Sequence, residues 1–365
     1  MSRVTASVLR FLLLLVAILG FAAAVLPALP VDTWWVRFLD YPRLQFLLTT
    51  LALLPFAALA VFFRQGARGR LIGIAALVLL GTGLAIQAVV LAPFLLPAVL
   101  GWPKPTVPAG SCPAESRLRL LTVNVQMTSK QDIRLLDMVR EVDPDVAWFQ
   151  ETNARWEQEL APLAVTMPFS VTQTLPNYFG VHLFSKLELR DAQVHNLTDS
   201  RNPSIFTSVA LPTGEVVKLY AVHPRPPQPW QGTAERDAQL MAASLAMRGD
   251  VEPHVLLGDL NAVPWEGMVH RALRLGNLGD PRTGRGFLAT WNAHDILWKW
   301  PLDHVLPGPG FTLMTLRVLP AFGSDHQPLL VELCRISGIA VATPPPLLRD
   351  EEARARAVVQ HGQGV

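Results

Sequence analysis

Charged residues are missing from three long stretches in the first third of this 365-residue chain. The uncharged stretches are residues 11–31, 44–63 and 71–103. Each contains the roughly 20 residues that an α-helix needs to cross a hydrocarbon core about 30 Å thick. Buried helices of soluble proteins rarely run so long without a charge, so we expect three transmembrane helices rather than three core helices.

The rest of the chain lacks the basic excess that drives non-specific binding to nucleic acid. Residues 1–103 hold 7 of the 31 basic and 2 of the 29 acidic residues, which leaves 24 basic and 27 acidic residues, a net charge of −3, for residues 104–365. A net-negative domain does not exclude a nuclease. It does exclude bulk positive charge as the source of affinity for DNA.

Arginines flank the uncharged stretches unevenly. Arg3 and Arg10 precede the first stretch, and three arginines occupy residues 64–70, between the second and the third. By the positive-inside rule both segments are cytoplasmic, and three crossings leave the rest of the chain outside. The first stretch could instead be a cleaved signal peptide, cut near residues 22–24, and the C-terminal domain would keep its side. We therefore predict a multi-pass protein of the inner (plasma) membrane with a periplasmic or extracytoplasmic domain.

Composition divides the chain into four segments. We expect a membrane anchor over residues 1–103, a Pro-rich linker over 104–116, a folded domain over 117–336, and a tail over 337–365 that is either disordered or a short surface helix. The folded domain has many strand-like runs and few helical ones, without strict βαβ alternation or an internal repeat. This order predicts an α+β fold of two packed mixed β-sheets flanked by helices, a four-layer sandwich.

Apolar periodicity predicts the individual elements of the folded domain. Helices are expected at about residues 131–142, 233–248 and 265–274. Strands are expected at about residues 117–125, 145–149, 180–185, 189–197, 204–211, 216–223, 254–258, 303–307, 311–319 and 327–335.

Polar side chains follow these strands in a definite order. Each is a common turn or helix-opening residue when taken singly. Together they concentrate carboxylates that hold a divalent cation, amides that bind phosphate oxygens and imidazoles that move protons. The ordered set therefore indicates a metal-assisted phosphoryl-transfer site. Its members are Asn124, Gln150-Glu151, His223, Gly258-Asp259-Leu260-Asn261, Asp303-His304 and Ser324-Asp325-His326.

Three residues of the set are the candidate metal site. Glu151 is the best candidate ligand, because a carboxylate is a hard oxygen donor that suits Mg²⁺ or Mn²⁺. Asn124 is expected beside it as a neutral ligand or a phosphate contact. Asp325 would be a second carboxylate at the metal.

The other members are candidate catalytic residues. His326 is expected to face the scissile phosphate, with Asp303 accepting a hydrogen bond from its other ring nitrogen. Asp259 would orient or deprotonate the attacking water, and Asn261 would steady a phosphoryl oxygen. Whether Asp259 or His326 is the general base stays open.

The ordered set resembles the endonuclease/exonuclease/phosphatase superfamily of metal-dependent phosphoesterases, over about residues 117–336. The resemblance implies a metal-dependent hydrolase that acts on phosphoric ester bonds. It also implies that His223 helps to protonate the leaving group, as in the deoxyribonuclease and sphingomyelinase branches. The carboxylate that accompanies this histidine there has no counterpart in residues 179–184. His304 and Arg225 either contact the substrate or are structural.

The resemblance also bears on the only two cysteines, Cys112 and Cys334. In folds of this kind the first and last strands lie close together, so the resemblance implies a disulfide between them in an oxidising compartment. The alternative is two isolated thiols.

The expected function is hydrolysis of phosphodiester bonds in nucleic acid or phospholipid headgroups, outside the cytoplasm. One alternative is a phosphomonoesterase acting on a sugar or inositol phosphate. Another is a catalytically silent membrane module, but the loss of a metal carboxylate or of the final histidine that would mark it is not seen. The expected partners are the substrate and the membrane, with no protein partner predicted.

Overall fold

A computed structural model describes residues 3–62, 66–101, 106–130, 132–198, 202–336 and 344–363. The helices in these ranges are α1 (Arg3–Val25), α2 (Trp34–Phe38), α3 (Arg43–Phe62), α4 (Ala67–Val99), α5 (Asp132–Val142), α6 (Ala154–Leu160), α7 (Ala234–Ala246), α8 (Gly267–Leu275) and α9 (Glu351–Gly362). The strands are β1 (Arg117–Asn124), β2 (Val146–Gln150), β3 (Phe169–Gln173), β4 (Val181–Ser185), β5 (Leu189–Asn196), β6 (Pro203–Ala210), β7 (Val216–Ala221), β8 (His254–Asp259), β9 (Asp303–Pro307), β10 (Phe311–Val318) and β11 (Leu329–Arg335).

Helices α1, α3 and α4 are long and apolar enough to cross a membrane. The candidate spans are Ser7–Ala28, Arg43–Val61 and Ala67–Pro97, so the expectation of three such helices is confirmed. Fully buried small residues lie where the helices meet, and small residues allow the close backbone approach on which membrane helix packing depends. These residues are Ala17, Ala57 and Ala76. Part of the arginine-bearing loop, residues 63–65, lies outside the described residues, and the orientation stays a prediction.

Two mixed sheets form the centre of the folded domain. One has the strand order β10-β11-β1-β2-β4-β3 and the other β5-β6-β7-β8-β9. The alternation of side chains along a strand assigns each face. In β1, Leu118 and Leu120 point into the core between the sheets, whereas Leu121 and Val123 point to the outer layer.

Helices cover the outer face of each sheet. Helices α5 and α6 pack on the sheet that contains β1, and α7, α8 and α9 pack near the sheet that contains β8. The four layers confirm the predicted sandwich of two mixed sheets flanked by helices. The arrangement places the loops that follow β1, β2, β7 and β8 at one end of the sandwich.

The two ends of the folded domain are joined covalently. A disulfide links Cys112 to Cys334, with the Cα atoms 5.9 Å apart, so the predicted pairing is confirmed. Strands β1 and β11 are antiparallel neighbours with Arg117 opposite Cys334, which explains why the preceding Cys112 reaches it. The described part of the predicted linker is tied to the domain, since the backbone N–H of Val107 also donates to the carbonyl of Leu313 at 2.8 Å.

Helix α9 (Glu351–Gly362) lies within the C-terminal tail, for which either disorder or a short surface helix was expected. Helix α9 packs against α7 and α8, and Ala355 is completely buried. The Glu351 carboxylate at its start accepts hydrogen bonds from Arg271 and Arg274, at 2.8 and 2.7 Å. These charge-assisted bonds hold α9 on the folded domain. The polar sequence of the tail does not by itself predict that contact. Residues 337–343 lie outside the described residues.

The candidate spans are packed directly on the folded domain. A cluster of apolar side chains joins the ends of α3 and α4 to the loops of the domain, and Tyr41, Leu91 and Trp265 are among its buried members. The Trp265 indole donates to the carbonyl of Asp40 at 2.7 Å. The domain is therefore held at a definite position on the spans. We call the ends of α1, α3 and α4 nearest the domain their domain-side ends.

Candidate active site

The predicted site residues come from strand ends that meet at one edge of the sandwich. Strands β1 and β2 are parallel neighbours in one sheet, and β7 and β8 are parallel neighbours in the other. Parallel strands present their carboxyl ends at the same edge, so Asn124 and Glu151 lie near each other and Asp259 lies across from them. Strand β9 runs antiparallel to β8 and begins with Asp303 directly opposite Asp259.

The junction between the sheets depends on Gly258 and Gln150. Gly258 has a φ of +138°, and a Cβ at this position would collide with the carbonyl oxygen of Val222. The backbone N–H of Asp259 donates to the side-chain oxygen of Gln150, whose amide nitrogen donates to Thr122 Oγ1 at 2.9 Å. Gln150 therefore locks the carboxyl end of β8 to the other sheet.

One carboxylate oxygen, Asp259 Oδ2, lies at the centre of the site. It accepts a hydrogen bond from Asn124 Nδ2 at 3.0 Å. His326 Nε2 lies 3.5 Å from it and His223 Nε2 lies 3.9 Å from it. All four side chains are buried. The arrangement brings a possible proton acceptor into contact with two imidazoles.

His326 is fixed by Asp303 and by the turn that carries it. Its Nδ1 lies 2.9 Å from Asp303 Oδ2, so the predicted pairing of the two side chains is present. The Ser324 hydroxyl donates to the carbonyl of Asn124 at 2.8 Å and accepts from the N–H of His326 at 3.0 Å. Ser324 thus attaches the turn to the end of β1 and aims Nε2 of the imidazole at Asp259.

Burial and neighbouring charge set the protonation of this pair. Burial disfavours a charged His326, but Asp303 and Asp259 outweigh it and raise the pKa of His326 to about 10. Burial raises the pKa of Asp259 to about 7, against the opposing effect of the positive His326. Near neutral pH the imidazole is therefore a cationic donor, and Asp259 is the group that can take up a proton.

Glu151 and Asn124 form the second half of the site. Asn124 Nδ2 also donates to Glu151 Oε1, at 2.9 Å, and Asn124 Oδ1 accepts from the N–H of Gln126 at 2.9 Å. Asn124 therefore presents its NH₂ group to the site and uses it to link the carboxylates of Glu151 and Asp259. Glu151 has a φ of +61°, which turns its side chain back towards β1. Burial raises the pKa of the Glu151 carboxyl, a cost that a bound cation would offset.

Asp325 is held at the rim of the site by a tryptophan. Its Oδ2 accepts a hydrogen bond from the Trp291 indole at 3.0 Å. The negative charge of Asp325 raises the pKa of Glu151, which places the two carboxylates within electrostatic reach of each other. Neither Glu151 nor Asp325 forms an ion pair with an arginine or lysine among the described residues.

Donor chemistry tests whether a divalent cation fits. Asp259, Asp303 and His326 each offer a ligand atom within 4.8 Å of the others. His326, however, already directs one ring nitrogen at each of the two aspartates. Glu151 and Asp325 are carboxylates without an arginine or lysine partner among the described residues, and hard oxygen donors are what Mg²⁺ and Mn²⁺ prefer. The residues present therefore fit a divalent cation, with Glu151 and Asp325 as the better pair of ligands.

His223 borders a pocket of about 390 Å³ beside Glu151. Neither of its ring nitrogens has a hydrogen-bond partner among the described residues. Burial, aided by the charge of His326, lowers the pKa of His223 to about 3, so the ring is neutral. A neutral imidazole can donate one hydrogen bond to a ligand and accept another. The predicted role of His223 as a proton donor requires that a bound ligand raise the pKa of His223. The pocket is also lined by Tyr178, Phe179, Arg225, Pro226, Gln228 and Gln231.

Asn261 turns the chain beneath Asp259. It has a φ of +47°, and its N–H donates to Asp259 Oδ1 at 2.9 Å. Its side-chain amide donates to the carbonyl of Pro224 at 2.9 Å, which links the loop after β8 to the segment that carries His223. A contact between this amide and a phosphoryl oxygen stays a prediction.

Two buried side chains, one from the segment between the first two candidate spans and one from α7, hold the Asn261 backbone. Tyr41 donates its hydroxyl to the carbonyl of Asn261 at 2.6 Å, and Arg236 Nη1 donates to the same oxygen at 2.9 Å. Sequence reasoning missed both residues, as well as Gln150, Ser324 and Trp291, in their positioning roles. Gln150 and Ser324 belong to the ordered set of motifs quoted above, so the sequence did mark their positions. No role was predicted for either side chain.

His304 and Arg225, for which the sequence left two roles open, have different surroundings. His304 is buried, and its Nε2 bonds the carbonyl of Ala262 at 2.8 Å. This contact favours a structural role for His304 over a contact with the substrate. Arg225 lines the pocket, where Glu235 and Gln231 hold its guanidinium at 2.7 and 2.9 Å. Arg225 is therefore fixed in position at the wall of that pocket.

The fold and this assembly of carboxylate, amide and imidazole groups define a metal-dependent hydrolase of phosphoric esters. The model of the Endonuclease/Exonuclease/phosphatase family matches residues 121–326, more than half of the chain. The chain belongs to this family, and the predictions of family and enzyme class are confirmed. No curated protein matches the chain.

Solved structures show the same fold. Humanized D. rerio TDP2 with 14 mutations has a TM-score of 0.52 and 18% identity, covering 60% of this chain and 99% of its own. D. rerio TDP2 complexed with a single-strand DNA product has a TM-score of 0.52 and 16% identity, covering 60% and 99%. A functionally unknown conserved protein from Enterococcus faecalis V583 has a TM-score of 0.50 and 14% identity, covering 60% and 100%.

Proposed function

We propose that this chain is a membrane-anchored phosphoesterase that uses Mg²⁺ or Mn²⁺ to hydrolyse a phosphodiester bond outside the cytoplasm. The observation that carries the proposal is that a candidate cation site lies beside a candidate acid–base pair at one edge of the sandwich. Glu151 and Asp325 are carboxylates without an arginine or lysine partner among the described residues, and beside them Asp259 lies against a charged His326. A cation site next to an acid–base pair is what hydrolysis of a phosphoric ester requires.

The residues divide into a cation-holding part and a proton-handling part. Glu151 and Asp325 would hold the metal ion, which when bound supplies positive charge to the phosphoryl oxygens. Asp259 is the better candidate for the base, because the pKa of its carboxyl is near 7 whereas His326 is already protonated at that pH. His326 would donate a charge-assisted hydrogen bond to a phosphoryl oxygen, with Asp303 fixing its orientation.

The pocket beside His223 would receive the group on one side of the ester bond. Aromatic faces and a guanidinium suit either a nucleobase or an organic headgroup. The DNA product bound to D. rerio TDP2 supports a nucleic acid as one candidate. A phospholipid headgroup is the other, since the site is carried on candidate membrane spans.

Activity of the full-length protein in detergent micelles tests the proposal. The substrates would be bis(p-nitrophenyl) phosphate, p-nitrophenyl phosphate, DNA, RNA and sphingomyelin, each with Mg²⁺ or Mn²⁺. We expect hydrolysis of diesters in preference to the monoester, loss of activity in EDTA and recovery on adding metal. Absence of metal-dependent hydrolysis of every ester would overturn the proposal, and preference for the monoester would replace it by a phosphomonoesterase.

Reporter fusions test the side of the membrane. Alkaline phosphatase should be fused after Val365, because a fusion at residue 336 would remove α9, which packs on the domain. We expect an active phosphatase there and an inactive one when the fusion follows Gly66, in the loop between α3 and α4. The reverse pattern would place the site in the cytoplasm.

A further inference from the structure

Three consecutive large apolar residues are exposed on a loop next to the site. Ile296 is 91% exposed, Leu297 is 70% exposed and Trp298 is 49% exposed. We call residues 296–298 the apolar loop. A contiguous exposed apolar patch on a folded domain marks a surface that contacts something other than water.

The position of the apolar loop relative to the spans identifies what it contacts. The carbonyl of Leu297 accepts a hydrogen bond from Gln45 Nε2 at 2.6 Å. Gln45 is the third residue of the candidate span Arg43–Val61, and a helix rises only about 1.5 Å per residue. The apolar loop therefore lies level with the first turn of a span, at the depth of the lipid headgroups and the start of the acyl chains.

Neighbouring backbone contacts hold this face of the domain at the same depth. Pro97 has no N–H, so it leaves the carbonyl of Pro93 without its partner in α4. The N–H of Gly284 donates to that carbonyl at 2.8 Å, and the N–H of Gly286 donates to the carbonyl of Phe94 at 3.0 Å. The segment that leads to the apolar loop is thus bonded to the domain-side end of a second span.

A second exposed aromatic residue lies next to the pocket beside His223. Trp230 is 94% exposed and stands between the pocket residues Gln228 and Gln231. Its ring packs edge-on against Trp34 of α2, with centroids 6.4 Å apart. Tryptophan is enriched at the boundary between membrane and water, and Trp34 follows the domain-side end of α1 closely.

The apolar loop is directly connected to the site. Trp291, at the start of the segment, donates its indole N–H to Asp325 Oδ2 at 3.0 Å. The N–H of Ala293 donates to the backbone carbonyl of Asp325 at 2.7 Å. The backbone that carries one candidate metal ligand is therefore bonded to the backbone that leads into the apolar loop.

We propose that the apolar loop inserts into the leaflet on the domain side of the membrane and that the substrate is a phosphodiester headgroup of a lipid in that leaflet. The inference rests on the proposed function and adds its substrate class. The site then meets its substrate at the surface to which it is already fixed. A nucleic acid fits these observations less well, because residues 104–365 carry a net charge of −3, whereas affinity for a polyanion comes mainly from basic side chains that neutralise its phosphates.

Depth measurement tests the insertion. Ile296→Cys introduces a thiol into a chain whose two native cysteines are bonded to each other, so a nitroxide label would attach there alone. The full-length protein would be reconstituted in vesicles of phosphatidylcholine and phosphatidylglycerol. Val251→Cys is the matched control, because Val251 is 92% exposed and precedes the end of β8 opposite to Asp259. We expect the label at 296 to be accessible to oxygen and shielded from a water-soluble nickel complex, and the label at 251 to show the reverse. Equal accessibility at both sites would overturn the insertion.

Activity on two substrates tests the substrate class. Ile296→Glu should lower the ratio of vesicle-lipid hydrolysis to bis(p-nitrophenyl) phosphate hydrolysis by at least about tenfold, because a carboxylate resists entry into lipid. Val251→Glu should leave that ratio as in the wild type. The vesicles would contain phosphatidylcholine, phosphatidylglycerol, phosphatidylinositol or sphingomyelin.

The outcomes separate this inference from the proposed function. An equal ratio in Ile296→Glu and wild type would overturn the role of the apolar loop. Hydrolysis of DNA or the soluble diester but of no vesicle lipid would overturn the lipid substrate and leave the phosphodiesterase standing. Hydrolysis of none of these esters would remove the proposed function itself.

Discussion

Two clusters of buried charge lie side by side in this protein, and their hydrogen bonding differs. In the first, which we call the bracing cluster, Arg236 uses all five of its N–H donors on Asp237, Glu266 and the carbonyl of Asn261. In the second, the site, both ring nitrogens of His223 and Asp303 Oδ1 have no partner among the described residues. The two clusters share Asn261, whose N–H donates to Asp259.

The difference follows from what each cluster has to hold. A buried charge is stable only when its partners are complete, so the bracing cluster contributes to the fold and has no donor left for a ligand. The site leaves polar atoms unpartnered and concentrates carboxylates, which lowers the stability of the fold. Such an arrangement is typical of a site that binds a ligand. We therefore expect substitutions in the site to change chemistry and substitutions in the bracing cluster to change stability. Five predictions test that separation.

The largest effect is expected from His326. The change His326→Ala should lower kcat by about 10²–10⁴, the usual contribution of a residue that handles a proton or a developing charge. Asp303→Asn should cost less, because it weakens the orientation of the imidazole and leaves the ring in place. Steady-state kinetics on a soluble diester measure both. A near-wild-type rate for His326→Ala would remove this histidine from the site.

The next effect is expected in the bracing cluster. Arg236→Leu leaves the carboxylates of Asp237 and Glu266 buried without their cation, so the free energy of unfolding should fall by about 3–5 kcal/mol. Chemical denaturation in detergent measures it. The control is Arg140→Leu, which breaks an exposed pair with Asp137 and should change stability by no more than about 0.5 kcal/mol. Equal losses in the two variants would contradict the role of the bracing cluster.

Stability should also depend on pH through the site. The pKa of His326 is about 10 in the fold and ordinarily 6.5, so between these values only the native state keeps the proton. The stabilisation is complete below pH 6.5 and is lost as the pH rises towards 10, by up to about 1.4 kcal/mol per pH unit. Asp303→Asn should flatten this slope in metal-free protein. Burial raises the pKa of Tyr41, so the control Tyr41→Phe should not alter the slope between pH 7 and 9. An altered slope in that variant would contradict the assignment of the slope to His326.

Metal binding should depend on Glu151. The change Glu151→Ala removes a candidate ligand of the ion, so the affinity for Mn²⁺ should fall by at least about tenfold to a hundredfold, the usual cost of losing even an outer-shell partner. Isothermal calorimetry measures the change. The control is Glu157→Ala, which removes an exposed carboxylate on α6 a short distance along the chain. The same affinity in Glu151→Ala and wild type would show that the ion is held elsewhere.

The smallest effect is expected where the two clusters meet. Tyr41→Phe removes one of the two hydrogen bonds to the carbonyl of Asn261, so stability should fall by about 1 kcal/mol. Because Asn261 supports Asp259, kcat should fall with it. Tyr220→Phe is the control, since the Tyr220 hydroxyl bonds to Asp250 at 2.6 Å, near the opposite end of β8. That variant should lose similar stability and keep its kcat, and a lower kcat would show that the coupling is not specific to Tyr41.

Much of the fold was predictable from local pattern. The candidate spans appeared as uncharged stretches, and the buried strands appeared as apolar runs because strands covered on both faces carry little else. Strand β3 was missed since its side chains are largely exposed and polar, so only the hydrogen bonds to β4 define it. Helix α6 was missed because it is short, although Asn153 caps it by accepting from the N–H groups of Arg155 and Trp156.

The sequence by itself was enough to predict the carboxylates, amides and imidazoles of the candidate site, because such groups at strand ends stand out within an apolar chain. Only the tertiary structure decided how they are paired: Asn124 donates to two carboxylates, and Asp259 faces two imidazoles. It alone also decided that the candidate spans pack on the domain, through contacts of Tyr41, Trp265 and the apolar loop. Such contacts join residues more than 200 positions apart, and a local pattern carries no information on which distant surfaces meet.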